Sequence, residues 1–279
     1  MAKLEFYQIK GATLCHSMNE KPEDRHFPMH LHDNFELYCF VCGRADYMVE
    51  GQIYNLRPGS LMLMRSSETH KLIPCGHERY ERYTLNFYPE ILSQIDPEGR
   101  LLAPFLKREL GQRNLYPAEE FPEISPLACF RKMCSECHAL GAEYTLTGNL
   151  LGLLSAVNLA YQTHPSPYEE EKADFDRSLL HFVNDHLTED LTLERISEQM
   201  HMSPSQINRI FHRLTGTTAY RYVLSKRLIL AQEMMAKGAG AVAASQSCGF
   251  HDYSAFYRLY KKRFGSSPTE IIREIEKNP

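Results

Sequence analysis

The chain contains no apolar run of 18 residues or more, so no helix is expected to cross a membrane. Its first residues, Met1-Ala2-Lys3-Leu4-Glu5, lack the basic and then apolar layout of a secretory signal, and a cytoplasmic location is expected. There is no Gly-rich phosphate loop and no Gly-x-Ser-x-Gly elbow, so neither a nucleotide cradle nor a serine nucleophile of that kind is signalled. Cysteine is sparse: eight in 279 residues do not make a disulfide scaffold. Cys39-x-x-Cys42 lies in an apolar stretch and has no second Cys or His pair at zinc-ribbon spacing. Cys134-Ser-Glu-Cys137-His138 matches c-type haem attachment by letter, but that chemistry belongs to an exported protein, which leaves these as helix-surface and core cysteines.

The composition itself is that of an ordinary globular chain, 43% hydrophobic and 24% charged, long enough for about two domains. The net charge of −4 hides an asymmetry. Between Ser203 and Pro268 ten Lys and Arg face two acidic residues, a surplus of eight, which leaves the remainder at −12. A basic segment inside an acidic chain suggests a polyanion-binding module beside something else.

Short apolar runs between turn signals predict strands over Phe35–Val41, Tyr47–Val49, Gln52–Leu56, Leu61–Met64 and Tyr83–Phe87. Cys42-Gly43, Glu50-Gly51 and Pro58-Gly59 punctuate them, and the spacing suggests a sandwich or small barrel over residues 1 to about 90. From about 90 to 162 the period becomes helical, with Leu150, Leu151, Leu154, Val157 and Tyr161 in one stripe, either core or a dimer face. Residues 163–173, with two prolines and three consecutive glutamates, read as a linker between a first domain, 1–162, and a second, 174–279.

The second domain reads as helices only. Thr192 caps a helix over Leu193–Met200, and Ser203-Pro204-Ser205-Gln206 is a capping box with proline in the first turn. The helix it opens carries Ile207, Ile210, Phe211 and Leu214 on one face and stops at Gly216. The short turn between these helices is helix-turn-helix spacing. A longer helix follows with a stripe of Tyr220, Leu224, Leu228, Ala231 and Met235, closed by Gly238. Ala241–Ser247 is a short alanine-rich helix. Asp252 caps another, with apolar Phe256, Leu259, Tyr260 and Phe264, and Ser267-Pro268-Thr269-Glu270 opens a terminal helix.

Arg209-Ile-Phe-His-Arg-Leu-Thr-Gly216 and Arg258-Leu-Tyr-Lys-Lys-Arg-Phe-Gly265 share one order of residue types, 49 positions apart. Their exposed faces hold Ser205, Gln206, Asn208, Arg209, His212 and Arg213 in one case, and Tyr253, Ser254, Tyr257, Arg258, Lys261 and Lys262 in the other. Arg forks onto guanine, Asn onto adenine, and Lys mainly holds phosphate. A connecting helix of about 20 residues is about 30 Å long, close to the ~34 Å between successive major grooves on one side of DNA. Two such faces suit a double grip on a duplex; a single one would be an ordinary solvated surface.

Residues from about 174 to 275 resemble the DNA-binding region of the AraC/XylS family of transcription regulators. The resemblance runs along Gly249-Phe250, Asp252, Ser254, Phe256, Arg258, Lys261, Gly265 and Pro268. It implies two helix-turn-helix units on a linker helix, binding promoter DNA, with base-reading positions at Ser205, Asn208 and Arg209 and at Tyr253, Ser254 and Arg258. It also makes a homodimer plausible and, for an activator, contact with RNA polymerase. Ala241, Ala243, Ala244 and Ser245 stand where the family usually has larger aliphatics, which predicts a thinly packed helix there.

His30-x-His32-x-x-x-Glu36 with Gly43 beyond resembles the first cupin motif; Gly51, Pro58 and Gly59 fit the second loosely, and His70 comes late. The whole chain is therefore expected to be α+β, a cupin-like β-barrel with trailing helices followed by an all-α double helix-turn-helix. His30 and His32 share a strand face by period two, and Glu36 and Tyr38 share one opposite Phe35, Leu37, Cys39 and Val41. Their convergence with His70 would suit a small polar effector, with Tyr38, Tyr47 or Tyr54 stacking on it, or a divalent metal on His30, His32, Glu36 and His70, or a structural polar cluster. The alternative to a regulator is a metal-dependent cupin enzyme whose C-terminal helices bind a partner. That reading needs an intact second metal motif.

Overall fold

The computed structural model describes residues 2–163 and 175–270. By its internal contacts the chain divides into two units, Met1–Glu171 and Lys172–Pro279. The expected linker falls almost wholly outside the described residues, as does the terminal helix beyond its first turn.

Nine strands form the first unit among the described residues: β1 (Ala2–Ile9), β2 (Ala12–Asn19), β3 (Phe35–Cys42), β4 (Ala45–Val49), β5 (Gln52–Asn55), β6 (Leu61–Met64), β7 (His70–Pro74), β8 (Tyr80–Phe87) and β9 (Leu115–Tyr116). They make a six-stranded sheet, β1-β2-β8-β3-β6-β9, and a three-stranded sheet, β5-β4-β7. The expected barrel is thus corrected to two open sheets. Each has its own hydrogen-bonded order, and one isolated bridge, His30 to His70, joins β7 to the segment before β3. The N-terminal hairpin β1–β2 and strand β7 were not expected from sequence, because their apolar residues are interrupted by polar ones.

The central strand β3 is buried on both faces because each face meets a different layer. Leu37 and Cys39 join Leu61, Leu63, Leu85 and Phe87 in a core that continues into the helices. Tyr38 and Phe40 join Met62, Met64 and Tyr80 against Tyr47, Val49, Tyr54 and Leu72 of the small sheet. The period-two alternation of a strand thus sorts one sequence into two cores.

Helical structure begins later than periodicity suggests. Pro89, Pro97, Pro104, Pro117 and Pro122 deny the segment after β8 long hydrogen-bonded runs, and it holds only 3-10 turns, the four-residue α1 (Ala103–Leu106) and β9. Two helices then cover the large sheet, α2 (Pro126–Ser135) and α3 (Ala142–Thr163). Leu150, Leu154 and Val157 of the expected stripe are fully buried, with Leu151 and Tyr161 packed at its margin, so the stripe is core.

The second unit contains α4 (Phe175–Asp185), α5 (Leu193–Met200), α6 (Pro204–Thr215), α7 (Ala219–Ala236), α8 (Ala241–Ser247) and α9 (Tyr253–Phe264). Two clusters divide it. Leu179, Val183, Ile196, Ile207 and Phe211 pack on Ala219, Tyr222 and Val223 at the start of α7. Ala244, Cys248, Phe250, Phe256 and Tyr260 pack on Leu228, Ala231 and Met235 at its end. Because α7 serves two cores it is buried around much of its circumference, and the single stripe expected for it is corrected: Tyr220 is 68% exposed, while Val223 and Ile229 are buried. Of the alanines of α8, Ala241 and Ala244 are buried, Ala244 completely and against α7, while Ala243 is exposed.

Candidate nucleic-acid interface and inner pocket

The first helix-turn-helix is α5–α6. Thr192 accepts from the Arg195 amide and Ser203 from the Gln206 amide, and Gly216 ends α6 in the left-handed region. Burial of Ile207, Ile210, Phe211 and Leu214 leaves Ser205, Arg209, His212 and Arg213 exposed. The side chains are not equally free, however. The Gln206 amide oxygen closes the capping box by accepting from the Ser203 amide at 2.9 Å. Asn208 Oδ1 accepts from the Ala219 amide at 3.1 Å and so caps α7. Arg213 pairs with Asp176 of α4. Among the described residues, Ser205, Arg209 and His212 are the side chains of this face with no such engagement. Sequence spacing identifies the face but cannot show which of its polar groups are spent inside the fold.

The second unit is α8–α9. Asp252 accepts from the Ser254 amide at 2.8 Å, starting α9. Phe256 and Tyr260 go inward, and Ser254, Arg258, Lys261 and Lys262 are exposed. Tyr253 and Tyr257 are half-buried, with Tyr253 against Phe256 at 5.8 Å between ring centroids. Each face therefore offers guanidinium, imidazole or ammonium groups over an apolar underside. Such groups can fork onto base edges or neutralise phosphate. The spacer α7 has 18 residues, a rod of about 27 Å.

Three histidines and a glutamate meet in the first unit. His30 and His32 do not lie on a strand, as their spacing suggested; they belong to the irregular segment before β3, and His30 reaches β7 only through its bridge to His70. The His70 ring nevertheless stands 4.3 Å from that of His30 and 4.8 Å from that of His32. His32 donates through Nδ1 to the Asn34 carbonyl at 2.9 Å and through Nε2 to Glu36 at 3.0 Å. Asn86 donates to the same carboxylate at 3.0 Å. Tyr47 stacks on His70, and Tyr38 leans on Tyr47 at 4.7 Å and shares a short hydrogen bond with Tyr80. Tyr54 is turned elsewhere: its hydroxyl donates to the Gly111 carbonyl at 2.6 Å.

Burial works against charge on His32, yet the hydrogen bond and charge of Glu36, with the Asn34 carbonyl and the charge of Asp33, together outweigh that and raise its pKa. Burial likewise works against charge on Glu36, but His32, His70 and His30 together pull its carboxyl well below the usual range. Each group thus favours the charged form of the other. His70 is different: burial, with His32 and His30 beside it, lowers its pKa to about 3. Its Nδ1 donates to the Glu68 carbonyl at 2.8 Å, which leaves Nε2 as a buried acceptor with no partner among the described residues. Unfolded, an imidazole takes its proton near pH 6.5, so between there and about 3 the unfolded chain binds more protons at this site. Stability contributed by neutral His70 is therefore full above that window and lost on acidification through it. We expect the denaturant midpoint of this unit to fall from pH 7 to pH 5, and His70→Asn to flatten the slope; an unchanged slope would remove His70 as its cause.

His32, Glu36 and His70 each place one donor atom within 4.8 Å of the others. Imidazole and carboxylate in that arrangement could hold a divalent ion.

A residue that sequence inspection passed over stands beside this cluster. Arg82 extends from β8 onto the face shared by Tyr80, Tyr38 and Phe40. Its guanidinium carbon stands 5.7 to 5.8 Å from the Phe27, Tyr38 and Tyr80 ring centroids. Nη1 donates to the Tyr80 hydroxyl at 3.2 Å, while Nε is buried without a hydrogen-bond partner among the described residues. Arg82 also lines an open hollow of ≈ 660 Å³ with Phe27, Ser17, Asn19 and Lys21. The alternation Arg82-Tyr83-Thr84-Leu85-Asn86-Phe87 was the available signal: polar residues face the small sheet and apolar ones the helices.

A strand-built pocket in one unit and paired helix-turn-helix readers in the other define a DNA-binding regulator with a ligand-binding domain. Residues 14–135 match the family model of the AraC-like ligand binding domain, and residues 196–274 match that of a helix-turn-helix domain. The chain belongs to the AraC family of transcription regulators. It is 25% identical over 252 residues to the HTH-type transcriptional activator RhaS of Klebsiella pneumoniae, covering 88% of this chain and 87% of that one. It is 25% identical over 251 residues to RhaS of Escherichia fergusonii, with the same coverage. Among solved structures, ToxT from Vibrio cholerae aligns with a TM-score of 0.41 at 13% identity, over 96% of this chain and 99% of that one. No helix among the described residues is long and apolar enough to cross a membrane.

Proposed function

We propose that residues 174–279 read promoter DNA with α6 and α9 in neighbouring major grooves, and that residues 1–162 hold a small polar effector that changes that binding. The observation that carries this is the pair of exposed basic faces, led by Arg209 and by Arg258 with Lys261, on helices packed at either end of one rod. The effector lies against His30, His32, Glu36, His70, Tyr38 and Tyr47, with Arg82 as its strongest donor. It shifts the population between two arrangements of the chain, acting through the segment 124–162 or through pairing of two copies as a homodimer. The protein works in the cytoplasm, where its promoter is, and contacts RNA polymerase if it activates. Catalysis is not part of the reading.

Selection of binding sites from random duplexes, followed by titration at several salt concentrations, tests the DNA reading. Arg209→Ala should cost about 1–3 kcal/mol and relax preference at one base position. Lys261→Ala should weaken every sequence alike and lower the salt slope by about one. Equal loss on cognate and random DNA for Arg209→Ala would reduce that residue to a phosphate clamp. For the effector, a thermal-shift screen of small polar metabolites should give hits that are lost in Arg82→Gln. A hit that left DNA affinity and oligomeric state unchanged would end the population-shift mechanism.

A further inference from the structure

The DNA and effector contacts proposed above do not use the motif Cys134-Ser-Glu-Cys137-His138, yet the fold gives it partners. Phe130 and Cys134 share one face of α2, four residues apart. Phe130 stacks on Tyr83 at 5.8 Å, and His16 of β2 stacks on the same Tyr83 at 4.4 Å. The end of α2 is thereby set over the β1–β2 hairpin. Glu5 and His16 are cross-strand partners there, with carboxylate and Nδ1 3.6 Å apart. Glu5, His16 and Cys134 each offer a donor atom within 4.8 Å of the other two. A hollow of ≈ 260 Å³ adjoins them, and Cys137 and His138 also line it.

We propose that this cluster is a metal site, lying on the helix side of the large sheet, for a borderline divalent ion such as zinc. Glu5, His16 and Cys134 are its ligands, and Cys137 is the fourth. A thiolate–imidazole–carboxylate set is the chemistry zinc takes. Donors about 2.0–2.3 Å from a tetrahedral ion stand roughly 3.3–3.8 Å apart. The Glu5–His16 pair is already at that spacing, 3.6 Å, and the thiol, within 4.8 Å of both, needs to close by at most about 1.5 Å. The histidine is oriented as a ligand should be. Its Nε2 lies 2.9 Å from Glu81, itself held by Arg79 at 2.6 Å, which leaves Nδ1 toward the cluster. A carboxylate behind a histidine fixes its tautomer and raises its basicity. Binding would tie the edge hairpin to α2 and release thiol protons to solvent.

The test is titration of the metal-stripped full-length protein with Co²⁺, followed by displacement with Zn²⁺. The expected result is one equivalent bound per chain with a thiolate-to-cobalt charge-transfer band. That band should be weakened in Cys134→Ser and in Cys137→Ser and absent when both are replaced. His16→Gln should lower affinity at least about tenfold, as loss of a ligand or of its support does. The inner cluster of His32, Glu36 and His70 contains no sulfur, so its occupancy cannot produce the band. A wild-type protein without the band, or a band unchanged in Cys134→Ser, would overturn the site.

Discussion

Arg108→Met is expected to destabilise the ligand-binding domain by about 3–5 kcal/mol, the cost of stranding a buried charge. Glu68 is completely buried, and Arg108 meets it through both terminal nitrogens, at 2.6 and 2.8 Å. The Gly111 and Arg65 amides and the Asn114 side chain donate to the same carboxylate. Burial opposes its charge, but Arg108 and the two amides hold its pKa down at about 2. Methionine fills the volume of Arg108 and leaves that anion with neutral donors and only the more distant Arg65 guanidinium, 4.0 Å away. The loss should also reach the pocket, because the Glu68 carbonyl receives His70 Nδ1 and the neighbouring Thr69 amide donates to Glu50. Urea unfolding of the full chain, followed through the transition of this domain, provides the measurement. Arg100→Met is the control, since its pair with Glu98 is exposed on both sides and should change stability by no more than about 0.5 kcal/mol. Replacing Glu68 by Leu together with Arg108 should cost less than Arg108→Met alone, because no buried anion is then left behind. If Arg108→Met stays within about 1 kcal/mol of wild type, water must reach Glu68 and the buried-ion argument fails.

What the sequence discloses and what it hides follow from the range of the forces involved. Caps and apolar periodicity are local, so α5, α6, α8 and α9 are legible to within a residue or two from Thr192, Ser203, Gly216 and Asp252. The DNA-facing positions follow from the same periodicity. Their engagement does not: Asn208 is spent on the Ala219 amide, a partner eleven residues away, and Arg213 on Asp176 in another helix. The inner pocket divides in the same way. His30, His32 and Glu36 lie close in sequence and announce themselves, whereas Arg82 and Asn86 reach them only because β8 pairs with β3, with Glu36 opposite Asn86 and Phe40 opposite Arg82. Pairing register is non-local, and no spacing within one segment encodes it. The cupin-like barrel rests on strand spacing together with the resemblance of His30-x-His32-x-x-x-Glu36 to a cupin motif, and neither encodes the hydrogen-bonded order of the strands.

The hinge of the DNA-binding half is a second buried cation, and Arg227→Met should cost about 3–5 kcal/mol, since each hydrogen bond to a charged group is worth roughly 1.5–3 kcal/mol and water recovers part of the loss. Arg227 leaves the middle of α7 and donates from Nε to the Leu187 carbonyl at 2.7 Å and from Nη2 to the Glu189 carbonyl at 2.7 Å. Both lie in the turn before the first helix-turn-helix. Its Nη1 donates to the Gly249 carbonyl at 2.8 Å, in the turn of the second. One guanidinium thus joins the two readers whose separate cores sit at the two ends of α7. Gly249 is glycine for a related reason: its φ is +79°, and a Cβ there would stand 2.9 Å from Arg227 Cζ. Gly249→Ala should therefore displace the guanidinium and cost about 1–3 kcal/mol, combining left-handed strain with the lost hydrogen bonds. Neither substitution touches Arg209, Arg258 or Lys261, so contacts within each reader should survive while their fixed spacing does not. The expected signature is a large loss of affinity for a two-groove site, a salt slope falling toward that of one reader, and little change on half-sites. Equal losses on full and half sites would show that Arg227 only stabilises the fold and does not set the distance between the readers.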